Sequence, residues 1–304
     1  MSRPNPVTRD TIVRGPGTVV FDGVQIDGRD GINATIDSAT QDLTTDAKGK
    51  IGTMKTDQVG KVTATPYGRV TKQLLALLYP HRSPVIGSSL LGAADRPLTI
   101  RSAAGRKVVF SSAALTRPPE LRLSPVSTAF GQCEFTAVLA RLKYPDEPGA
   151  FVDVIAEPFG TFDSARPQTG AVYTATYGDV TFRDTVDGWR VAVEPQIEIV
   201  TVDNLGSIDI MLSGMNVTAR CTPVGFDEQD IISMLPATRA RGADIVGPDL
   251  VIAGTNGLAV ALKNAALLQG PLQWGNAQLR TGELMFTANV DGATGKLYEI
   301  MFSD

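Results

Sequence analysis

Apolar and polar residues alternate in short runs along this chain, and glycine and proline interrupt them at close intervals. That rhythm predicts many short strands rather than long helices. Repeat one opens at Thr18-Val-Val-Phe21, and strands follow around 24–26, 31–36, 51–55 and 60–65. The turn Pro66-Tyr-Gly68 then opens a helix over 69–78, with Val70, Leu74, Leu75 and Leu78 at helical spacing and Pro80 as the stop. Strands resume at 97–101, 106–114, 120–124 and 131–142. After residue 170 the same order returns. Asp227 is the expected N-cap of a second helix ended by Pro236, and strands follow at 249–253, 258–266, 272–274, 282–290 and 297–302. Asp291-Gly292 with Gly295 reads as the hairpin turn between the last two.

The two stretches share landmarks at one offset. Asp30-Gly31 returns as Asp187-Gly188, Asp46 as Asp203, Gly49 as Gly206, Ile51 as Ile208, and Met54 as Met211. Thr65-Pro66-x-Gly68 returns as Thr222-Pro223-x-Gly225, again a step of 157 residues. Core candidates match as well: Ile32 with Trp189, Ile36 with Val193, and Leu74, Leu75 and Leu78 with Ile231, Ile232 and Leu235. Farther along, Ala113-Ala114-Leu115 matches Ala265-Ala266-Leu267, and Phe135-Thr136-Ala137 matches Phe286-Thr287-Ala288. A period this long points to a duplicated domain. The expected organisation is an arm over 1–16, a domain over 17–142, a linker over 143–170 with one embedded strand at 150–155, and a second domain over 171–304. Each domain is expected to be a β-sandwich or squashed barrel with one short helix and a long projecting hairpin.

The hairpins are the elements that look built to project. Residues 36–62 turn at 46–49, and residues 193–219 mirror them. In the second, Ile197 and Ile199 alternate on one strand and Ile208, Ile210 and Leu212 on the other, giving one apolar face. A hairpin this long is not stable alone in water, so that face needs its own sandwich or a neighbouring subunit. The first is more polar, which suits an arm that orders on assembly. The candidate assembly residues are Thr44, Asp46, Lys48, Lys50, Ile51 and Met54 in the first hairpin. In the second they are Ile197, Ile199, Val202, Asp203, Ile208, Ile210 and Met211.

Composition narrows the function without choosing it. The chain has 304 residues, is 43% hydrophobic and carries a net charge of −4, enough for ordinary cores. Acids and bases are interspersed, so no basic stripe argues for tight phosphate binding. Cys133 and Cys221 fall at non-equivalent repeat positions and read as small core residues. The opening residues lack the apolar run of a signal peptide, and no stretch approaches a membrane span, so synthesis in the cytoplasm is expected.

Candidate chemistry is sparse. His81 is the only histidine, and an exposed loop position is expected for it. Asn289-Val-Asp-Gly-Ala-Thr-Gly-Lys296 lacks the first glycine of a phosphate loop, and Asp22 to Asp30 lacks the ordered ligands of a calcium loop. No catalytic residue, metal site or cofactor is assigned. A carbohydrate- or receptor-binding sandwich would need an aromatic platform, and Trp189 and Trp274 are the only tryptophans.

Three segments bring a known family into view. They are Arg14-Gly-Pro-Gly-Thr-Val-Val-Phe-Asp-Gly23, the Thr65-Pro-Tyr-Gly68 turn, and Lys107–Ser124 with Phe130-Gly-Gln-Cys-Glu-Phe-Thr-Ala137. Together they resemble the major tail proteins of long-tailed phages, the subunits of the tail tube. The resemblance implies a virion protein, made in the host cytoplasm and passive in function, that self-associates into stacked six-membered rings around a DNA channel. It implies strands joined between subunits, and contacts with terminator, tape-measure and distal tail proteins. This chain departs by carrying two copies. If six domains still close a ring, three chains suffice. A distal tail or tail-tip ring protein of the same fold is the alternative.

Overall fold

The fold is given by a computed structural model. It describes residues 17–92, 96–102, 106–138, 152–156, 169–202, 206–225, 234, 245–269, 272–274 and 279–303. Among them, the first stretch holds β1 (Gly17–Phe21), β2 (Val24–Thr45), β3 (Gly49–Tyr67), α1 (Lys72–Leu78), β4 (Leu98–Ser102) and β5 (Arg106–Phe110). It continues through β6 (Ser112–Arg117), β7 (Leu121–Leu123), β8 (Thr128–Phe130), β9 (Cys133–Val138) and β10 (Val152–Ala156). The second stretch begins with β11 (Tyr173–Tyr177), β12 (Val180–Phe182), β13 (Trp189–Val202), β14 (Gly206–Cys221), β15 (Leu250–Gly254) and β16 (Leu258–Leu262). It ends with β17 (Ala266–Gln269), β18 (Leu272–Trp274), β19 (Leu279–Thr281), β20 (Leu284–Thr287) and β21 (Tyr298–Phe302).

The protein is mainly β, with antiparallel sheets of β-sandwich character. One sheet runs β10-β5-β4-β1-β2-β3-β9-β6, a second β12-β11-β15-β16-β21, and a third β17-β20-β14-β13-β7-β8. β18 and β19 pair with each other.

The strand pairings of the first stretch recur in the second. β1 pairs with β4 as β11 pairs with β15, β3 with β9 as β14 with β20, and β5 with β10 as β16 with β21. The long hairpins agree residue by residue. Ile36 faces Gly60 as Val193 faces Val217, and Thr40 faces Lys55 as Ile197 faces Leu212. Both carry a register shift partway along, at Ala39/Thr40 and Gln196/Ile197, and another near the tip, at Leu43/Thr44 and Val200/Thr201; the first has a further shift at Arg29/Ile32. A bulge twists and bends its strand, and the two shared shifts fall at equivalent positions of the two arms.

Helix α1 begins three residues later than the spacing predicts, because Thr71 caps it: its hydroxyl accepts from the Leu74 N–H at 3.2 Å. Leu74, Leu75 and Leu78 are buried, as their spacing requires. The second helix falls outside the described residues, apart from Met234, which is buried. The strand expected within the linker is present as β10, but it is no free segment: it pairs with β5 along its length and completes the first sheet. The Asp291 turn is also present, with the Gly295 N–H donating to the Asp291 carbonyl at 2.7 Å. It does not make a hairpin, since β20 pairs with β14 and β17 while β21 pairs with β16.

Buried side chains from both stretches form one contiguous core. Phe21 meets Phe135 at 5.0 Å between ring centroids, and Trp189 meets Phe182 edge-on at 5.4 Å. Each such side chain contributes roughly 1.5–3 kcal/mol by leaving water. Cys133 and Cys221 lie in this core as free thiols. Burial pushes the Cys133 thiol up to about 12 and raises Cys221 further. Ile36 departs from its core expectation: it is 42% exposed, whereas its counterpart Val193 is buried.

Candidate functional site

The two hairpins share one geometry and sit in two environments. The second, β13–β14, is held against the first stretch of the chain. Its apolar face forms a cluster in which Ile210 and Leu212 pack with Leu90, Leu91, Ala114 and Val138, and Ile197 and Ile199 lie against them. Alternation along each strand puts Ile197 opposite Leu212 and Ile199 opposite Ile210, so all four side chains share a face. Ile208 does not join them. It falls at the tip bulge, between the Thr201–Ser207 and Val200–Asp209 pairs, where the alternation is broken.

The backbone of the 87–91 segment finishes this edge. The Leu90 N–H donates to the Ile210 carbonyl at 2.8 Å, the Leu212 N–H to Ser88 at 2.9 Å, and the Gly87 N–H to Leu212 at 2.8 Å. Met211 forms an isolated bridge with Ser89, whose hydroxyl donates to the Asp209 carboxylate at 2.5 Å. Near the tip, Asp57 of β3 accepts from the Ser207 N–H and from its hydroxyl. These contacts replace water along an otherwise open strand edge. Val202 remains 38% exposed, and Asp203 lies outside the described residues.

The first hairpin, β2–β3, is exposed along its outer half. Thr44, Asp46, Lys48 and Lys50 surround the tip and are exposed, and Ile51 and Met54 are 57% and 47% exposed. Lys50 pairs with Asp42 at 2.6 Å across the strands. Both partners are exposed, so the pair steadies the tip by only a few tenths of a kcal/mol. Thr53 and Lys55 stand at the register positions where the second arm has Ile210 and Leu212.

Reasoning from sequence missed Asp57, Ser89, Asp209 and the 85–91 segment. No spacing links a loop after α1 to a strand more than a hundred residues later. It also missed that β7 extends β13, with Trp189 opposite Leu123 and Val191 opposite Leu121. This pairing joins the two stretches into one sheet.

Chemistry elsewhere is meagre. Among the described residues, no three His, Cys, Asp or Glu side chains come together as metal ligands. His81 corrects its expectation: it is half-buried, not exposed, and lines a small cavity with Asp22, Pro80, Leu90 and Arg96. Burial, then the nearby Arg96 charge, lowers its pKa. No helix among the described residues is long and apolar enough to cross a membrane.

No protein-family model matches this chain, and no curated protein sequence matches it.

Proposed function

We propose that this chain is a structural subunit that assembles with copies of itself into rings around a channel, and that stacked rings form a phage tail tube through which DNA passes. The reading takes the chain as two tandem copies of one domain and the ring as three chains with pseudo-sixfold symmetry. One observation carries it: both long hairpins share one register and two bulges at equivalent positions, yet among the described residues only the second has the edge of its outer half covered by this chain. A single chain thus contains one domain-to-domain junction and the two unlike ends that would make further junctions. Head-to-tail contacts of that kind form rings when the rotation between subunits closes. The exposed first arm then faces out of the ring, toward the ring stacked on it, with Ile51 and Met54 as its apolar anchors.

Negative-stain imaging with mass photometry of the purified protein tests the reading. Trimers, and tubes of uniform width as concentration rises, are expected. Discrete rings at every concentration would turn the assignment to a tail-tip ring protein. A monomer at every concentration would remove the assembly function altogether.

A further inference from the structure

The junction inside the chain specifies the junction between chains. Within one chain, the short hairpin β7–β8 adds to the edge of β13, giving the strand order β17-β20-β14-β13-β7-β8. The first stretch has the same series up to β6-β9-β3-β2, but from β2 its sheet continues through β1, β4, β5 and β10 rather than through a hairpin like β7–β8. β2 pairs with β1 only through Val24–Asp27, and beyond that point its side away from β3 has no strand beside it among the described residues. The counterpart of β7–β8 is the β18–β19 hairpin. Leu121 faces Phe130 and Leu123 faces Thr128 in the one, and Leu272 faces Thr281 and Trp274 faces Leu279 in the other. Among the described residues, β18–β19 pairs with no other strand. The chain therefore presents, among the described residues, one open edge and one unpaired hairpin of matching register.

A second, independent sign lies in two glycines. Gly188 has φ +79°, and a Cβ there would stand 2.3 Å from the carbonyl oxygen of Leu123. Glycine thus lets β7 approach the start of β13 closely. Gly31, at the equivalent position before β2's open edge, has φ +92° and nothing within 4 Å. Among the described residues, Gly31 therefore leaves room for a strand to approach as β7 approaches Gly188.

We infer that β18–β19 of one chain pairs antiparallel with β2 of the next, placing Ile32 opposite Trp274, Asn33 opposite Gln273 and Ala34 opposite Leu272. The partner is a second copy of this chain, and each chain gives a hairpin at one end and an edge at the other. Covering the β2 edge removes a template for uncontrolled strand addition. The inference rests on the self-assembly proposed above, but not on what the channel conducts.

Cysteine cross-linking tests the register. The variant Asn33→Cys/Gln273→Cys, treated with a short bismaleimide after assembly, is expected to give covalent oligomers up to the size of the ring. Asn33→Cys mixed with Gln273→Cys should give covalent dimers and nothing larger, because each chain then has one reactive end. Gln41→Cys/Gln273→Cys, displaced by eight residues or about 27 Å along the strand, should give none. If the protein assembles normally but the Asn33→Cys/Gln273→Cys variant links only within one chain, or not at all, the edge assignment is wrong and self-assembly stands. If the wild-type protein does not assemble, both fall.

Discussion

The carboxylate of Asp57 accepts two hydrogen bonds from one residue 150 positions away: the Ser207 N–H at 2.7 Å and the Ser207 hydroxyl at 2.6 Å. Asp57 stands at the bulge of β3, and Ser207 is the second residue of β14. The pair pins the tip of the second arm to the first. Charged acceptors make the stronger hydrogen bonds. Asp57→Ala should lower stability by about 2 kcal/mol, a fall of about 4 °C in the melting midpoint. Asp57→Asn, which retains an acceptor, should lose less. Thermal melts followed by circular dichroism decide between them, and equal losses would mean that a neutral acceptor at this position contributes nothing.

Removal of the first arm should separate folding from stacking. A deletion of residues 40–56, with a two-residue turn joining Ala39 to Asp57, takes out strands whose side chains are almost all exposed. The melting midpoint of the monomer should change by only a few degrees. Tubes should no longer form, although lateral rings should. Tubes of normal length from the deleted protein would show that the arm does not join rings.

Acid should weaken the fold through His81. Its folded-state pKa lies below the ordinary 6.5, held there by burial first and by Arg96 second. The unfolded chain therefore takes up the proton first as pH falls. The stabilisation is present above about pH 6.5 and is lost as pH falls through the folded-state value. Replacement by glutamine removes the titration. The wild-type melting midpoint should drop relative to His81→Gln between pH 7 and pH 5, whereas parallel curves would place His81 in ordinary solvent.

Thiol reactivity offers a check on the core. The Cys133 thiol, raised to about 12 by burial and 0% exposed, and the still higher Cys221 should be almost wholly protonated at pH 8. Since the thiolate is the nucleophile, Ellman's reagent should label the native protein many-fold more slowly than the protein in denaturant. Rapid labelling of either thiol in the native state would contradict their burial.

Much of the fold was legible in the chain because it is local. Alternation gave the strands, Asp46 and Gly49 gave the first hairpin tip, and the leucines of α1 gave its buried face. The helix start was misjudged by three residues because a threonine cap, a single hydrogen bond, outweighs the apolar position Val70 in deciding where helical geometry begins. His81 was misjudged because burial depends on what packs above a loop, here Leu90 and Arg96 from later in the chain. The candidate site divided in the same way. The arms and their unlike polarity could be read from Ile197, Ile199 and Ile210 against Asp42, Thr53 and Lys55. Asp57, Ser89 and Asp209 could not, because a polar side chain in a strand shows no sign of its partner.

The sequence by itself determined the repeated order of elements and the two long arms, since strand period, turn residues and helical spacing act over a few neighbouring positions. Only the tertiary structure decided that the second arm is covered, that β7 completes β13, and that, among the described residues, the outer half of the first arm is exposed and β18–β19 pairs with no other strand. Those outcomes depend on hydrogen bonds and apolar contacts between segments far apart in the chain, whose energies no local pattern records.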